Sequence, residues 1–112
     1  MVRAMRPGDE ALIVALGKRM AEESEYFSGH TIDYTKWYNT CYKTLVDDNY
    51  QAYVSEQDGV INGIWAGMVI PVWFAEESKV TDIMFYVDKQ KRGTTIALHL
   101  LNAAEHWAIS KG

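Results

Sequence analysis

The sequence predicts a mixed α/β (α+β) domain, a mainly antiparallel sheet flanked by helices in the order β-α-α-β-β-β-α. Three observations lead there. Apolar residues recur at helical spacing over residues 10–24 and 33–46. Between residues 50 and 87 the pattern turns to strands joined by short links, one of them an Asp-Gly turn, which suits an antiparallel meander. A last helical pattern, residues 94–111, follows a short basic turn.

The elements can be justified in order. Residues 1–6 alternate weakly through Val2 and Ala4 and read as a first strand. Pro7, Gly8 and Asp9 form a turn, with Asp9 placed to cap the next helix. That helix carries Leu12, Ile13, Leu16 and Met20, and Gly29 and His30 mark its break. Trp37, Cys41 and Leu45, four apart, form the apolar face of the second helix, and Asp33, Asp47 and Asp48 lie at helix ends. Residues 50–56 read as a strand, Gln57-Asp58-Gly59 as a hairpin turn, and residues 60–70 as its partner. Gly63 and Gly67 mark bulges or points of close backbone approach in that partner. Pro71 and the Glu76-Glu77-Ser78 cluster close it. Residues 80–87, VTDIMFYV, form a third strand, with Ile83, Phe85 and Val87 on one face and Val80, Asp82, Met84 and Tyr86 on the other. Ile96, Leu100 and Trp107 share one face of the last helix.

Composition narrows the function. The 112 residues make one domain, 1–112, and 48% of them are hydrophobic, a globular composition. The longest apolar stretch, Ile64 to Ala75, is too short and too interrupted to span a membrane. The N-terminus lacks the apolar segment of a secretion signal. Cys41 stands alone, so neither a disulfide framework nor a thiolate metal cluster is expected, and a reducing, cytoplasmic setting fits. His30, His99 and His106 lack metal-ligand spacing and read as surface residues; no metal is expected. A net charge of −4 argues against broad nucleic-acid binding.

Against that acidic background, the turn DKQKRGTT is an exception. Such a cluster reads either as a solvated turn or as a site for a small polyanion. The first amides of a helix have no partners within it, and its dipole adds positive charge there. Gly93 allows tight backbone, Lys89, Lys91 and Arg92 supply cations with Arg92 over the helix mouth, and Thr94 and Thr95 supply hydroxyls. Neither the GxxxxGK[ST] nor the GxGxxG spacing is present.

The stretch DIMFYVDKQKRGTTIALHLLNAAEHWAISKG resembles the cofactor-binding segment of the GNAT (Gcn5-related N-acetyltransferase) family. The family signature, Arg/Gln-x-x-Gly-x-Gly/Ala, falls on Arg92 to Ala97; Arg92 and Ala97 match, and Thr95 stands where glycine is usual. The opening RAMRPGDEALIVALGKRMAEES also looks like the family's first strand and helix, and the wider context resembles small members encoded by bacteria and phages.

The resemblance implies acetyl-CoA as a substrate and acetyl transfer to an amine by direct attack. It implies that backbone at Phe85, Tyr86 and Val87 pairs the pantetheine arm, and that Arg92, Gly93, Thr94, Thr95, Ile96 and Ala97 hold the pyrophosphate. The Thr95 side chain either fits there or crowds the turn. The Val87 N–H is a candidate oxyanion donor. Asp82, Glu76 with its neighbour Glu77, and Tyr86 are the acid–base candidates. In the family the segment between helices one and two flanks the acceptor, so Tyr26, Phe27, Tyr34, Trp37 and Tyr38 either line a pocket or pack as core.

Family members continue past this helix into further strands, and a tyrosine beyond it often donates the proton, so those strands are expected to be absent here. The bare Val80–Val87 edge is then expected to be covered by a homodimer or another partner. The acceptor, a small amine or a protein, is not legible. An alternative is a truncated, non-catalytic binding module of phage type acting on a host partner.

Overall fold

The computed structural model describes residues 1–23, 27 and 29–111. Its sheet has strand order β1-β2-β3-β4, antiparallel throughout, from β1 (Val2–Ala4), β2 (Tyr50–Gln57), β3 (Val60–Pro71) and β4 (Ser78–Val87). Three helices flank it: α1 (Glu10–Glu23), α2 (Tyr34–Val46) and α3 (Ile96–Ser110). The expected element order holds. β4 starts earlier than expected because Ser78 pairs with Pro71 across the β3–β4 connection. α3 starts later, at Ile96, because Lys89–Lys91 form one turn of 3₁₀ helix before it and the Thr94 hydroxyl bonds back to the Lys91 carbonyl.

The sheet separates two apolar clusters. On one face, Ile13, Leu16 and Met20 of α1 and Cys41 of α2 pack over Ala52, Val54, Ile64, Ala66, Met84 and Tyr86. On the other, Leu100, Ala104 and Trp107 of α3 pack on Trp65 and Val87. The helical spacing read from the sequence thus delivers each apolar stripe to one side of the sheet.

The glycines of β3 mark two irregularities. Asn62 is an extra residue beside Gly63, opposite Ser55 and Glu56, and Ile83 is an extra residue opposite the Ala66–Gly67 step. A side chain at Gly67 would meet the Trp65 ring at 2.4 Å and the Thr81 carbonyl oxygen at 2.7 Å, so close approach excludes a Cβ there. The Ile83 bulge overturns the simple alternation expected for β4. One extra residue moves every side chain before it to the opposite face. Val80 and Asp82, opposite Val69 and Gly67, therefore share the α3 side with Val87, while Met84 and Tyr86 face α1 and α2, so Asp82 does not share the face of Tyr86 that the alternation predicts.

The chain start is fastened by charge. Arg3 donates from Nη1 to Asp9 Oδ2 at 2.7 Å and from Nη2 to Glu56 Oε2 at 3.2 Å. The Asp9 carbonyl accepts the first helical bond, from the Ile13 N–H. Its carboxylate takes the Arg6 amide and Arg3 instead of capping a helix amide, because the guanidinium lies within reach. Asp33 does cap α2, accepting the Lys36 amide at 3.0 Å.

Candidate active site

β4 is an edge strand, paired on one side with β3. Two connected grooves lie along it. The first, about 500 Å³, is bounded by Met20, residues 27 and 30–33, the Trp37–Thr44 face of α2, and Ala66, Ile83 and Met84 of the sheet. The second, about 620 Å³, runs along the edge itself, past Asp82 to Tyr86, and is closed by Glu23 and Arg92. Met20, Phe27, Ile83 and Met84 border both. The bulge residue Ile83, 41% exposed, sits where they join.

Trp37 forms the wall of the first groove. Its ring stacks with Phe27 at 5.8 Å and with Tyr34 at 5.9 Å. It lies so close to α1 that a Cβ on Gly17 would fall 2.6 Å from it. Of the aromatic set named from the sequence, Phe27 and Trp37 line this groove, while Tyr34 and Tyr38 lie on the α1–α2 surface beside Lys18. Tyr26 and Gly112 lie outside the described residues. Cys41 is core, as expected, and burial pushes its thiol up to about 11, with the negative charge of Glu10 adding to it. His30 is exposed at the groove margin, and His99 and His106 are exposed on α3.

At the end of the second groove, β4 runs into the basic turn. Gly93 has φ +87°, a left-handed conformation that suits glycine. Thr95 has φ −85°, so its backbone has no need of the glycine usual in the family. Its side chain makes no capping bond to the helix. The amides of Gly93, Thr94, Thr95, Ala97 and Leu98 have no acceptor among the described residues, and the Ile96 amide has only a long contact of 3.4 Å to the Thr94 hydroxyl. Lys89 stands exposed beside them and Lys91 half-buried. This donor set suits a diphosphate.

Arg92 departs from its expected position over the helix mouth. Its Nε donates to the Val87 carbonyl at 3.1 Å, its Nη2 to Glu23 Oε1 at 2.9 Å, and its guanidinium lies 5.3 Å from the Tyr86 ring centre. A strand-end carbonyl, a carboxylate and an aromatic face together draw it back along β4. Tyr86 Oη donates to Glu23 Oε2. The Tyr86 hydroxyl and the Arg92 guanidinium hold the Glu23 carboxyl below its ordinary range. Burial, then Glu23, pushes Tyr86 up to about 12.

Asp82 and Tyr86 both border the edge groove, from opposite faces of β4, whereas Glu76 and Glu77 lie in the β3–β4 connection near Ala108 and Lys111, at the opposite end of β4 from Tyr86. Glu23 is the site residue that the sequence reading missed. It sits 63 residues from Tyr86, and its only local signal is its place as the last residue of α1. Among the described residues no group of three or more His, Cys, Asp or Glu side chains is placed to hold a metal, and no helix is long and apolar enough to cross a membrane.

Comparison with known proteins agrees with this fold. A predicted acetyltransferase from Clostridium acetobutylicum, solved with acetyl-CoA, superposes with TM-score 0.84 at 18% identity, covering 99% of this chain and 74% of its own. An acetyltransferase from Vibrio fischeri gives 0.76 at 19% identity, covering 100% and 88%. An aminoglycoside acetyltransferase from an uncultured soil metagenomic sample, solved with sisomicin, gives 0.74 at 17% identity, covering 100% and 71%. At these identities the likeness is one of fold. No curated protein matches the sequence. Nothing in these comparisons favours the non-catalytic alternative. The family model described as "Acetyltransferase (GNAT) family" matches residues 17–112, and with the shared fold it establishes that the chain belongs to the GNAT acetyltransferase family.

Proposed function

We propose that residues 1–112 form a single acyl-CoA N-acyltransferase domain that uses acetyl-CoA to acetylate an amine. One observation supports this best. The open edge of β4 leads directly into a turn of unpartnered amides, and an apolar groove opens from the same strand. When bound, acetyl-CoA supplies an activated acetyl thioester. The amides from Gly93 to Leu98, with Lys89 and Lys91, hold its diphosphate, and the backbone of Phe85 to Val87 receives its arm.

The acceptor ammonium first gives one proton to Asp82, through water, and becomes the amine whose nitrogen attacks the thioester carbon. As the C–S bond breaks, the nitrogen loses a second proton to solvent. Tyr86, kept protonated at neutral pH, gives its proton to the leaving thiolate and regains one from solvent. Glu76, at the far end of β4, has no part in this scheme.

The test is calorimetric titration with CoA. Binding in the micromolar range, with a matching thermal shift, is expected. Absence of binding at millimolar CoA would end the proposal. Arg92→Ala is expected to weaken CoA binding, and unchanged affinity would remove Arg92 from the site.

A further inference from the structure

Arg92 lies between two sets of partners. It directly precedes Gly93, where the run of unpartnered amides begins. Its guanidinium nevertheless lies back along β4, on Glu23 Oε1 at 2.9 Å and beside the Tyr86 ring, with Nε on the Val87 carbonyl at 3.1 Å.

That position obstructs the strand edge. The Asp88 amide donates to the Asn62 carbonyl of β3 at 2.7 Å. Backbone groups of successive residues alternate in direction along a strand, so the N–H and C=O of Val87, one residue earlier, point to the open edge. An arm laid along β4 would pair with these groups, and Arg92 already occupies the carbonyl. Glu23 and Arg92 together close the groove at the same place. The arm and the bridge therefore compete for one stretch of strand.

The bridge comes from α1, of which Glu23 is the last residue. The Tyr86 hydroxyl donates to the same carboxylate and fixes it over the strand. Glu23 and Arg92 are 32% and 47% exposed, so their pairing favours the drawn-back position only about two- to fivefold. A diphosphate on the amides of the turn carries more negative charge than one carboxylate, and it can win the guanidinium.

We propose, on the basis of the acetyltransferase reading, that Glu23 is a positioning residue that holds Arg92 across the edge groove until a diphosphate draws the guanidinium to the turn. The diphosphate thereby uncovers the Val87 carbonyl and opens β4 to the arm. The two halves of the cosubstrate assist each other through this one bridge.

The experiment separates those halves. Isotope-labelled protein is titrated with pantetheine, an uncharged arm, with and without saturating ADP, and its dissociation constant is read from the amide shifts of Phe85 and Val87. ADP is expected to tighten pantetheine about two- to fivefold, a gain bounded by the strength of the bridge. ADP alone is expected to move the Arg92 Nε–H signal. Glu23→Gln is expected to tighten pantetheine to a similar degree without ADP, and Glu23→Gln and Arg92→Ala are each expected to abolish the ADP effect. A pantetheine affinity indifferent to ADP would overturn the proposal. So would an equal ADP effect in Glu23→Gln, which would mean that the two fragments act on each other directly. Either result with CoA still binding leaves the acetyltransferase reading standing, whereas failure to bind CoA at all would overturn both.

Discussion

Gly67→Ala tests the packing that sets the site's frame. The added methyl would lie 2.4 and 2.6 Å from Cη2 and Cζ2 of Trp65 and 2.7 Å from the Thr81 carbonyl oxygen. Ordinary carbon contacts are about 3.5–4.0 Å, so the ring must retreat by about 1 Å and the β4 backbone must yield as well. Trp65 has little room, since it is buried and meets Trp107 edge-to-face at 6.2 Å. Overpacking of this kind costs about 1–3 kcal/mol, and the backbone contact places Gly67→Ala near the top of that range, about 2–3 kcal/mol. With a urea slope of about 1.5 kcal/mol/M, the unfolding midpoint should fall by about 1.3–2 M. Gly63→Ala is the control. Its methyl would meet side-chain atoms of Ile96 and Leu100 at 3.1 and 3.2 Å, which can shift by a few tenths of an ångström, so its cost should stay below about 1 kcal/mol. Urea titrations followed by tryptophan fluorescence would decide. Equal midpoints for the two variants, or a Gly67→Ala midpoint within about 0.3 M of the unmodified protein, would refute the reasoning.

Further predictions follow from the charged groups and the thiol. Glu23→Gln releases Arg92 from its strongest anchor on β4, and CoA affinity should rise about two- to fivefold at low salt. Calorimetry in the Arg92→Ala background is the check, because an equal gain there would mean that Glu23 acts by charge alone. Asp9→Asn should cost about 2 kcal/mol at pH 7 by breaking the Arg3 clamp. The Arg3 hydrogen bonds hold the Asp9 carboxyl below its ordinary value, so its contribution is complete above about pH 4 and fades as pH falls through the lowered value. The two proteins' stabilities should therefore converge in acid, and a constant gap down to pH 2 would contradict the assignment. Cys41 is buried with a raised pKa, so a thiol reagent at pH 8 should label the folded protein about a hundredfold more slowly than the urea-unfolded chain. Labelling of the folded protein within seconds would show that the α2 face opens.

The sequence by itself determined the order of elements and the basic, glycine-bearing turn before the last helix. Both rest on short-range features. Periodicity within ten or fifteen residues decides helix against strand, and the left-handed Gly93 beside Lys89, Lys91 and Arg92 lies within one loop. The glycines of β3 also announced irregularity, though not on which strand the Ile83 bulge would fall. That bulge depends on register against β3, and it alone moves Val80 to the α3 face. Tertiary structure likewise decided where Arg92 points, because Glu23 reaches it from the end of α1 and no spacing within the loop records that neighbour. The same holds for the Trp37 wall, which depends on the bare backbone of Gly17 on a different helix. Contacts between residues far apart in the chain are set by how elements pack, and a local pattern carries no record of its distant partner.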